Sequence, residues 1–335
     1  MSDRCDPDTI CVIGNLNIDL IIRNVPGMPA WGQEVMGDSH FQTSSGQAGY
    51  LALALSQLGI PTSLVGNVGD DRYGKQILDD LNAFGINTQG VQVMTGEGTG
   101  ITVAIVRADG ERAFVSDLAC LHNFTEGLVE RNWEQVKAAS VVCLVGLFCI
   151  PGLSFQAAAR QLGKAHKAGK TTMLDTGWDP RNWPEETLSG MRELLKEVTL
   201  FLPNWDEARA ITGQKTVEDA ALALQALGPD QVVIKCGEQG SYARCGTQVC
   251  RVPSRPVQVR DAVGAGDVFN AGFLLGLRQG WPLEACLAFG NTTASLYISR
   301  KENRFPRLDE VIAPGREYPA LAAIFDLENL GGGRP

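Results

Sequence analysis

Residues 261–267 read Asp261-Ala-Val-Gly-Ala-Gly-Asp267, between a predicted strand, Val257–Arg260, and a predicted helix, Ala265–Arg278. Gly264, Ala265 and Gly266 put small residues at the helix start, where backbone N–H groups can approach an anion and the helix dipole favours negative charge. A carboxylate in that place repels a phosphate unless it has a task. Asp267 is positioned to take a proton from an attacking hydroxyl while the amides hold a transferring phosphoryl group. A general base contributes ~10²–10⁴ in rate and an anion hole ~10²–10³. Taken alone, the same residues also suit a glycine-rich turn capped by an aspartate.

Working outward, short β-rich runs alternate with helical stretches along the chain. Ile10–Gly14, Ser63–Gly66, Val141–Leu147, Thr171–Asp175, Leu200–Leu202 and Gln231–Cys236 read as buried strands. Helical patterns cover Gln47–Leu58, Tyr73–Phe84, Ser154–Ala168, Glu185–Glu197, Trp205–Thr212, Val217–Leu227 and Pro282–Ser299. Such alternation predicts parallel βαβ units with helices on both faces of one sheet. Two stretches break the rhythm and predict a small antiparallel appendage: Leu20–Phe41, and the runs Ile101–Arg107 and Arg112–Ser116 around the hairpin signal Asp109-Gly110. A second hairpin is expected over Ser241–Val252.

The 335 residues are 44% hydrophobic and 20% charged, enough apolar content to bury one large core and unlike a disordered or low-complexity chain. No apolar run reaches the ~18 residues of a membrane span, so no membrane partner is expected. Residues 1–9 lack an apolar core, so a secretory signal is not expected there. With 38 acidic against 29 basic residues and no basic run, nucleic acid is a poor partner. Nine scattered cysteines form no CxxC and predict small core thiols in a reducing compartment. Three distant histidines exclude a structural zinc site. GxxxxGK[ST], GxGxxG after the first strand, GxSxG and the protein-kinase motifs are all missing.

Two further clusters sit at predicted strand ends. Asn17-Ile-Asp19 follows the first strand; a carboxylate and an amide there suit paired hydroxyls of a polyol, and equally an Asx turn. Asn204-Trp-Asp-Glu207 opens a helix; its oxygens suit Mg²⁺ through water, and equally an N-cap with a capping box.

In combination these motifs resemble the ribokinase-like (phosphofructokinase-B-type) carbohydrate kinase family over about Ile10–Val311. The order is N-x-D, a small-residue helix start near Gly46, N-x-x-E, Lys235-Cys-Gly-Glu-Gln-Gly240 and D-x-x-G-A-G-D. Gly69–Gly74, Asp109–Arg112 and Ser299-Arg300-Lys301 also fall where that family has similar runs. The resemblance implies a ribokinase-like three-layer α/β/α, doubly wound, mostly parallel sheet with a small β-strand lid. Residues 9–312 would be the kinase domain, with the lid from about 20–41 and 98–117 and tails at 1–8 and 313–335. It implies Asp267 as catalytic base and Gly264, Ala265 and Gly266 as anion hole. Asn17, Asp19 and Gly46 would hold the acceptor, and Asn204 and Glu207 would serve Mg²⁺ and phosphates. Lys235, Gly237 and Gly240 would form the nucleotide turn, with Asn291 near the base. ATP, Mg²⁺, a homodimer through the lid and a cytoplasmic location follow from the same resemblance.

Departures from the pattern shape the acceptor expectation. Tyr50 stands where the family places an asparagine facing the sugar, and Phe148 appears near Leu147 where ribokinases place a glutamate that contacts ribose. Both make the acceptor pocket more aromatic, which disfavours D-ribose and raises a nucleoside as the alternative to a small sugar or sugar-like acceptor. A non-catalytic sugar- or nucleotide-binding relative is the third reading. Asp261 and Val263 match a monovalent-cation (K⁺) site, but Glu302 replaces its expected glycine.

Overall fold

The computed structural model describes residues 9–109, 111–300 and 304–330, with side chains to 326. The expected tail 1–8, the end of the second tail, Gly110 of the hairpin turn, Lys301 and Glu302 lie outside them. In chain order the elements are β1 (Ile10–Gly14), β2 (Asn17–Arg23), β3 (Ser39–Ser45), α1 (Gln47–Gln57), β4 (Thr62–Gly69), α2 (Arg72–Ala83) and β5 (Asn87–Met94). Then come β6 (Ile101–Val106), β7 (Arg112–Asp117), α3 (Glu126–Arg131), α4 (Trp133–Ala138), β8 (Val141–Val145), α5 (Phe155–Lys167) and β9 (Thr171–Asp175). α6 (Glu185–Leu195), β10 (Leu200–Phe201), α7 (Trp205–Thr212), α8 (Val217–Ala226), β11 (Gln231–Lys235), β12 (Ser241–Cys245) and β13 (Gln248–Val252) follow. The chain continues with α9 (Ala265–Arg278), α10 (Leu283–Ser299), α11 (Leu308–Gly315) and α12 (Pro319–Leu330).

Nine strands form one sheet in the order β13-β12-β11-β10-β9-β8-β1-β4-β5, parallel except for the β11-β12-β13 edge. Strands buried on both faces explain the uninterrupted apolar runs in the sequence. Along β1, Ile10 and Val12 join the core that contains α1, α9 and α10, while Cys11 and Ile13 join the core that contains α5, α6 and α8. That alternation makes the architecture a three-layer α/β/α sandwich. The order reverses between β8 and β1, the switch point where open parallel sheets leave a crevice beyond their carboxyl ends. α9 and α10 cross closely because Gly272 carries no side chain; a Cβ there would sit 2.6 Å from Thr293 Oγ1 and 3.0 Å from Gly290 Cα.

The second sheet has the order β3-β2-β6-β7. It differs from the antiparallel appendage expected, because β2 and β6 run parallel from Ile18/Ile101 to Arg23/Val106. Three other expectations are corrected. Val257–Arg260 is not a strand: β13 already ends the sheet, Val259 is exposed, and Pro253 and Pro256 remove donors from this stretch. Asn87–Met94 is a strand that sequence reading passed over, since its polar composition hides an edge position beside β4. The stretch from residue 313 is not a loose tail as far as it is described. α12 lies on the main body, with Leu321 and Phe325 buried and the Phe325 ring edge-on to Trp281 at 5.9 Å. The eight described cysteines are all unpaired; Cys11 and Cys143 lie inside the sheet, and of the eight only Cys245 is exposed.

If α12 is part of the folded core, Phe325→Ala should cost ~3–5 kcal/mol in urea unfolding, the usual cost of emptying a buried aromatic site. A loss under ~1 kcal/mol would show the helix to be loosely held.

Candidate active site

Five strands of the large sheet converge on one crevice at their carboxyl ends. β9 ends at Asp175, β11 at Lys235, and the turns after β1, β8 and β10 carry Asn15, Gly146 and Asn204. α9 starts opposite, with Gly264 at its N-cap in the left-handed region (φ 77°). A Cβ on Gly264 would meet the Tyr50 ring at 2.9 Å, so glycine is required both by conformation and by space.

Asp267 is buried in the first turn of α9, and its Oδ1 has no hydrogen-bond partner. Burial holds its carboxyl well above the usual range, helped by repulsion from Asp175 and opposed by Lys235 and by hydrogen bonding from Gln47. Lys235 Nζ pairs with Asp175 Oδ2, which also accepts from Asn270 Nδ2 at 2.6 Å. The same ammonium stands where a Cβ on Gly266 would be 3.3 Å away, hard against the helix start. Glu207 is pushed up to about 7 by burial and by Asp175. Asp175 and Asn270 were not singled out from the sequence. An acid ending a buried parallel strand was the available signal for the first.

Asn204 and Glu207 form the capping box that their spacing also allowed: Asn204 Oδ1 accepts from Glu207 N at 2.9 Å, and Glu207 Oε2 from Asn204 N at 2.9 Å. Glu207 Oε1 takes the Asn204 side-chain amide at 2.7 Å. Among the described residues no group of three or more His, Cys, Asp or Glu could hold a metal. The donor set of Asn204 and Glu207 is hard oxygen, already engaged, and fits hydrated Mg²⁺ reached through water rather than directly bound.

A second cluster lies where β2 begins. Asn17 Nδ2 donates to Asp19 Oδ1 at 2.9 Å and Ser45 Oγ at 3.0 Å, while Asn15 donates to Asn17 Oδ1 at 2.9 Å. Gly46 has φ 86°, and a Cβ on it would fall 2.3 Å from Asn15 O, so α1 can start only from glycine here. Tyr50 does not offer an open aromatic face, as its position suggested. It is buried, tilted against Phe305 at 6.1 Å, and its hydroxyl donates to Asp19 Oδ2 at 2.9 Å. Burial raises Asp19 to about 6, against the lowering effect of Ser45, Tyr50 and Asn17. Phe148, half-buried, packs edge-on to Trp183 at 5.3 Å and to Phe155 at 6.1 Å.

The remaining expected residues lie farther round. Gly237 and Gly240 both have positive φ, and a Cβ on Gly240 would strike Val252 O at 2.0 Å. Asn291 is engaged with that segment too, donating to Val252 O at 3.1 Å and Pro253 O at 3.2 Å. Asp261 and Val263 are together, with Val263 N–H on Asp261 Oδ1 at 2.9 Å. The other oxygen of Asp261 is taken by Arg23, at 3.0 Å. A monovalent ion does not fit there as the family pattern would have it.

Comparison with known proteins gives this arrangement its context. The pfkB family carbohydrate kinase model matches residues 7–310. The chain is 30% identical over 289 residues to ribokinase of Bacillus subtilis strain 168, covering 86% of this chain and 92% of that protein. It is 29% identical to 2-dehydro-3-deoxygluconokinase of Haemophilus influenzae over 302 residues, 87% of this chain and 94% of the other. The structure of Arabidopsis thaliana ribokinase complexed with ribose and ATP superposes with a TM-score of 0.78 at 26% identity, covering 92% of this chain and 99% of that one. With nearly its whole length matched, the chain belongs to the pfkB family of carbohydrate kinases.

Proposed function

We propose that this chain transfers the γ-phosphoryl group of ATP to a hydroxyl of a small sugar or sugar-like acceptor, with Asp267 as the base. The observation that carries the reading is the buried, partnerless Asp267 Oδ1 at the N-terminus of α9, beside the Gly264–Gly266 amides and Lys235. Asp267 Oδ1 receives the acceptor's proton as the new O–P bond forms and the bond to ADP breaks. The amides at the start of α9 and the Lys235 ammonium face the charge that gathers on the phosphoryl oxygens. Asn17 and Asp19 present an amide and a carboxylate to acceptor hydroxyls, while Tyr50 fixes the orientation of Asp19. Asp175, Glu207 and Asp267 crowd round one ammonium, and burial together with their mutual repulsion raises Glu207 and Asp267, so the phosphates of a nucleotide would enter favourably with added positive charge. Mg²⁺ carried with the nucleotide would supply it, and Asn204 and Glu207 would hold it through water. With Tyr50 buried, the stacking argument for a nucleoside loses its main support.

The test is ADP release with ATP and Mg²⁺ across pentoses, hexoses, polyols, sugar acids, phosphorylated sugars and nucleosides, with Asp267→Asn alongside. Turnover on a sugar is expected, lower in the variant by at least ~10²-fold with ATP binding retained. Near-normal turnover in Asp267→Asn would remove the assigned role.

Raised carboxyl pKa values set the sign of the pH dependence. Asp19 keeps its proton until the pH passes about 6, and Asp267 is displaced in the same direction. Below that range the acceptor side is neutral and the base is occupied, so kcat/KM for the acceptor should fall as pH drops through about 6. An acid limb centred near the ordinary carboxylate value of ~4 would contradict the assignment.

The face of the small sheet that carries Leu20, Ile22, Val103, Ile105 and Val115 is apolar, and Val115 is 59% exposed. A homodimer covering this face is our reading of it. Light scattering should return twice the mass of one chain, and a single-chain mass would refute the dimer. A cytoplasmic location is consistent with the acidic composition and unpaired thiols. Among the described residues no helix is long and apolar enough to cross a membrane.

A further inference from the structure

Asp261 lies on the loop that leads into the Gly264–Gly266 turn, and its side chain is 0% exposed. A carboxylate removed from water this completely needs a compensating charge. Its surroundings make the need greater. α10 ends at Ser299, and the Ile298 carbonyl, at the negative end of that helix, accepts from Arg260 N at 2.8 Å and Asp261 N at 3.4 Å. The pocket therefore combines a buried carboxylate with a helix C-terminus, and it calls for a cation.

Arg23, the last residue of β2, supplies one. Its NH2 group is 3.0 Å from Asp261 Oδ2, its side chain is only 18% exposed, and its guanidinium carbon lies 4.3 Å from the centre of the Phe41 ring. Asp261 Oδ1 is meanwhile engaged by Val263 N–H. Both carboxylate oxygens are thus committed to donors within the chain. We propose that Arg23 is the resident cation of this pocket, standing where the family pattern places a monovalent metal ion, so that the enzyme works without K⁺.

A tethered guanidinium does something a free ion cannot. β2 carries Asp19 near one end and Arg23 at the other, four residues or roughly 13 Å along one strand. Arg23 joins the strand that presents the acceptor-side carboxylate to the loop that shapes the anion hole. It is a positioning residue, touching neither phosphate nor acceptor, and this role rests on the kinase reading above. Its replacement of the metal ion does not.

The experiment compares wild type, Arg23→Ala and Arg23→Lys in KCl, NaCl and choline chloride at one ionic strength, by turnover and by thermal unfolding. Wild type should turn over at the same rate, within about twofold, and unfold at the same temperature in all three salts. Arg23→Ala should lose about tenfold in turnover, the scale of a broken coupling contact. It should unfold at a lower temperature in choline, and K⁺ should restore part of both losses. Arg23→Lys, which keeps the charge, should stay close to wild type in unfolding temperature and indifferent to K⁺. Several-fold activation of wild type by K⁺, or a rise in its unfolding temperature specific to K⁺, would overturn the proposal. So would an Arg23→Ala protein that responds to no salt in either readout, which would reduce the pair to a simple bridge between sheets. Should Arg23→Ala fail to fold, the wild-type and Arg23→Lys salt profiles decide. Thermal unfolding needs no substrate, so it remains decisive even if no acceptor is phosphorylated.

Discussion

Three carboxyl groups, Asp175, Glu207 and Asp267, are buried around the ammonium of Lys235, and the crevice is organised around that imbalance. Such a cluster is unfavourable by itself, because desolvation penalises every charge and like charges add to the penalty. It persists because each member has a rigid origin. Asp175 and Lys235 end buried parallel strands, Glu207 is fixed in a helix cap, and Asp267 is locked into the first turn of a helix packed from both sides. Glu207 and Asp267 each sit in the first turn of a helix, where the dipole favours negative charge and offsets part of that penalty.

The small sheet gives the other half of the architecture. Only two residues separate β1 from β2, so the chain passes from an interior strand of one sheet directly into the other. Asn17 and Asp19 are placed by that short crossing, and Ser45 and Tyr50, arriving from β3 and α1, close a hydrogen-bonded ring around them. The acceptor side and the phosphoryl side are then in van der Waals register through Tyr50 against Gly264. A shift of either sheet would be felt at both.

How much of this was legible follows from how local each feature is. The Asp261–Asp267 turn, the Asn204/Glu207 spacing and the strand–helix rhythm are written within a few residues, so periodicity and motif reading find them. Tyr50 illustrates the limit: its residue type suggested a stacking face, but its role depends on Asp19, 31 positions away. Arg23 and Asp261 are 238 positions apart, and nothing near either residue announces the other. Val257–Arg260 had a strand-like alternation that no neighbouring strand pairs with. The polar β5 is a strand only because β4 offers it an edge. Local rules describe what a segment prefers, and tertiary partners decide what it does.

The unpaired thiols described with the fold give the molecule a graded chemical surface. Burial pushes Cys11 up to about 12 and holds Cys143 well above the ordinary thiol range, so neither competes for an electrophile. Cys149 is pushed up to about 11, with the charges of Asp19 and Asp267 adding to the effect of burial. Cys245, at the end of β12, is exposed to solvent. Among the described thiols an alkylating probe would therefore mark Cys245, on the antiparallel side of the nine-stranded sheet, first.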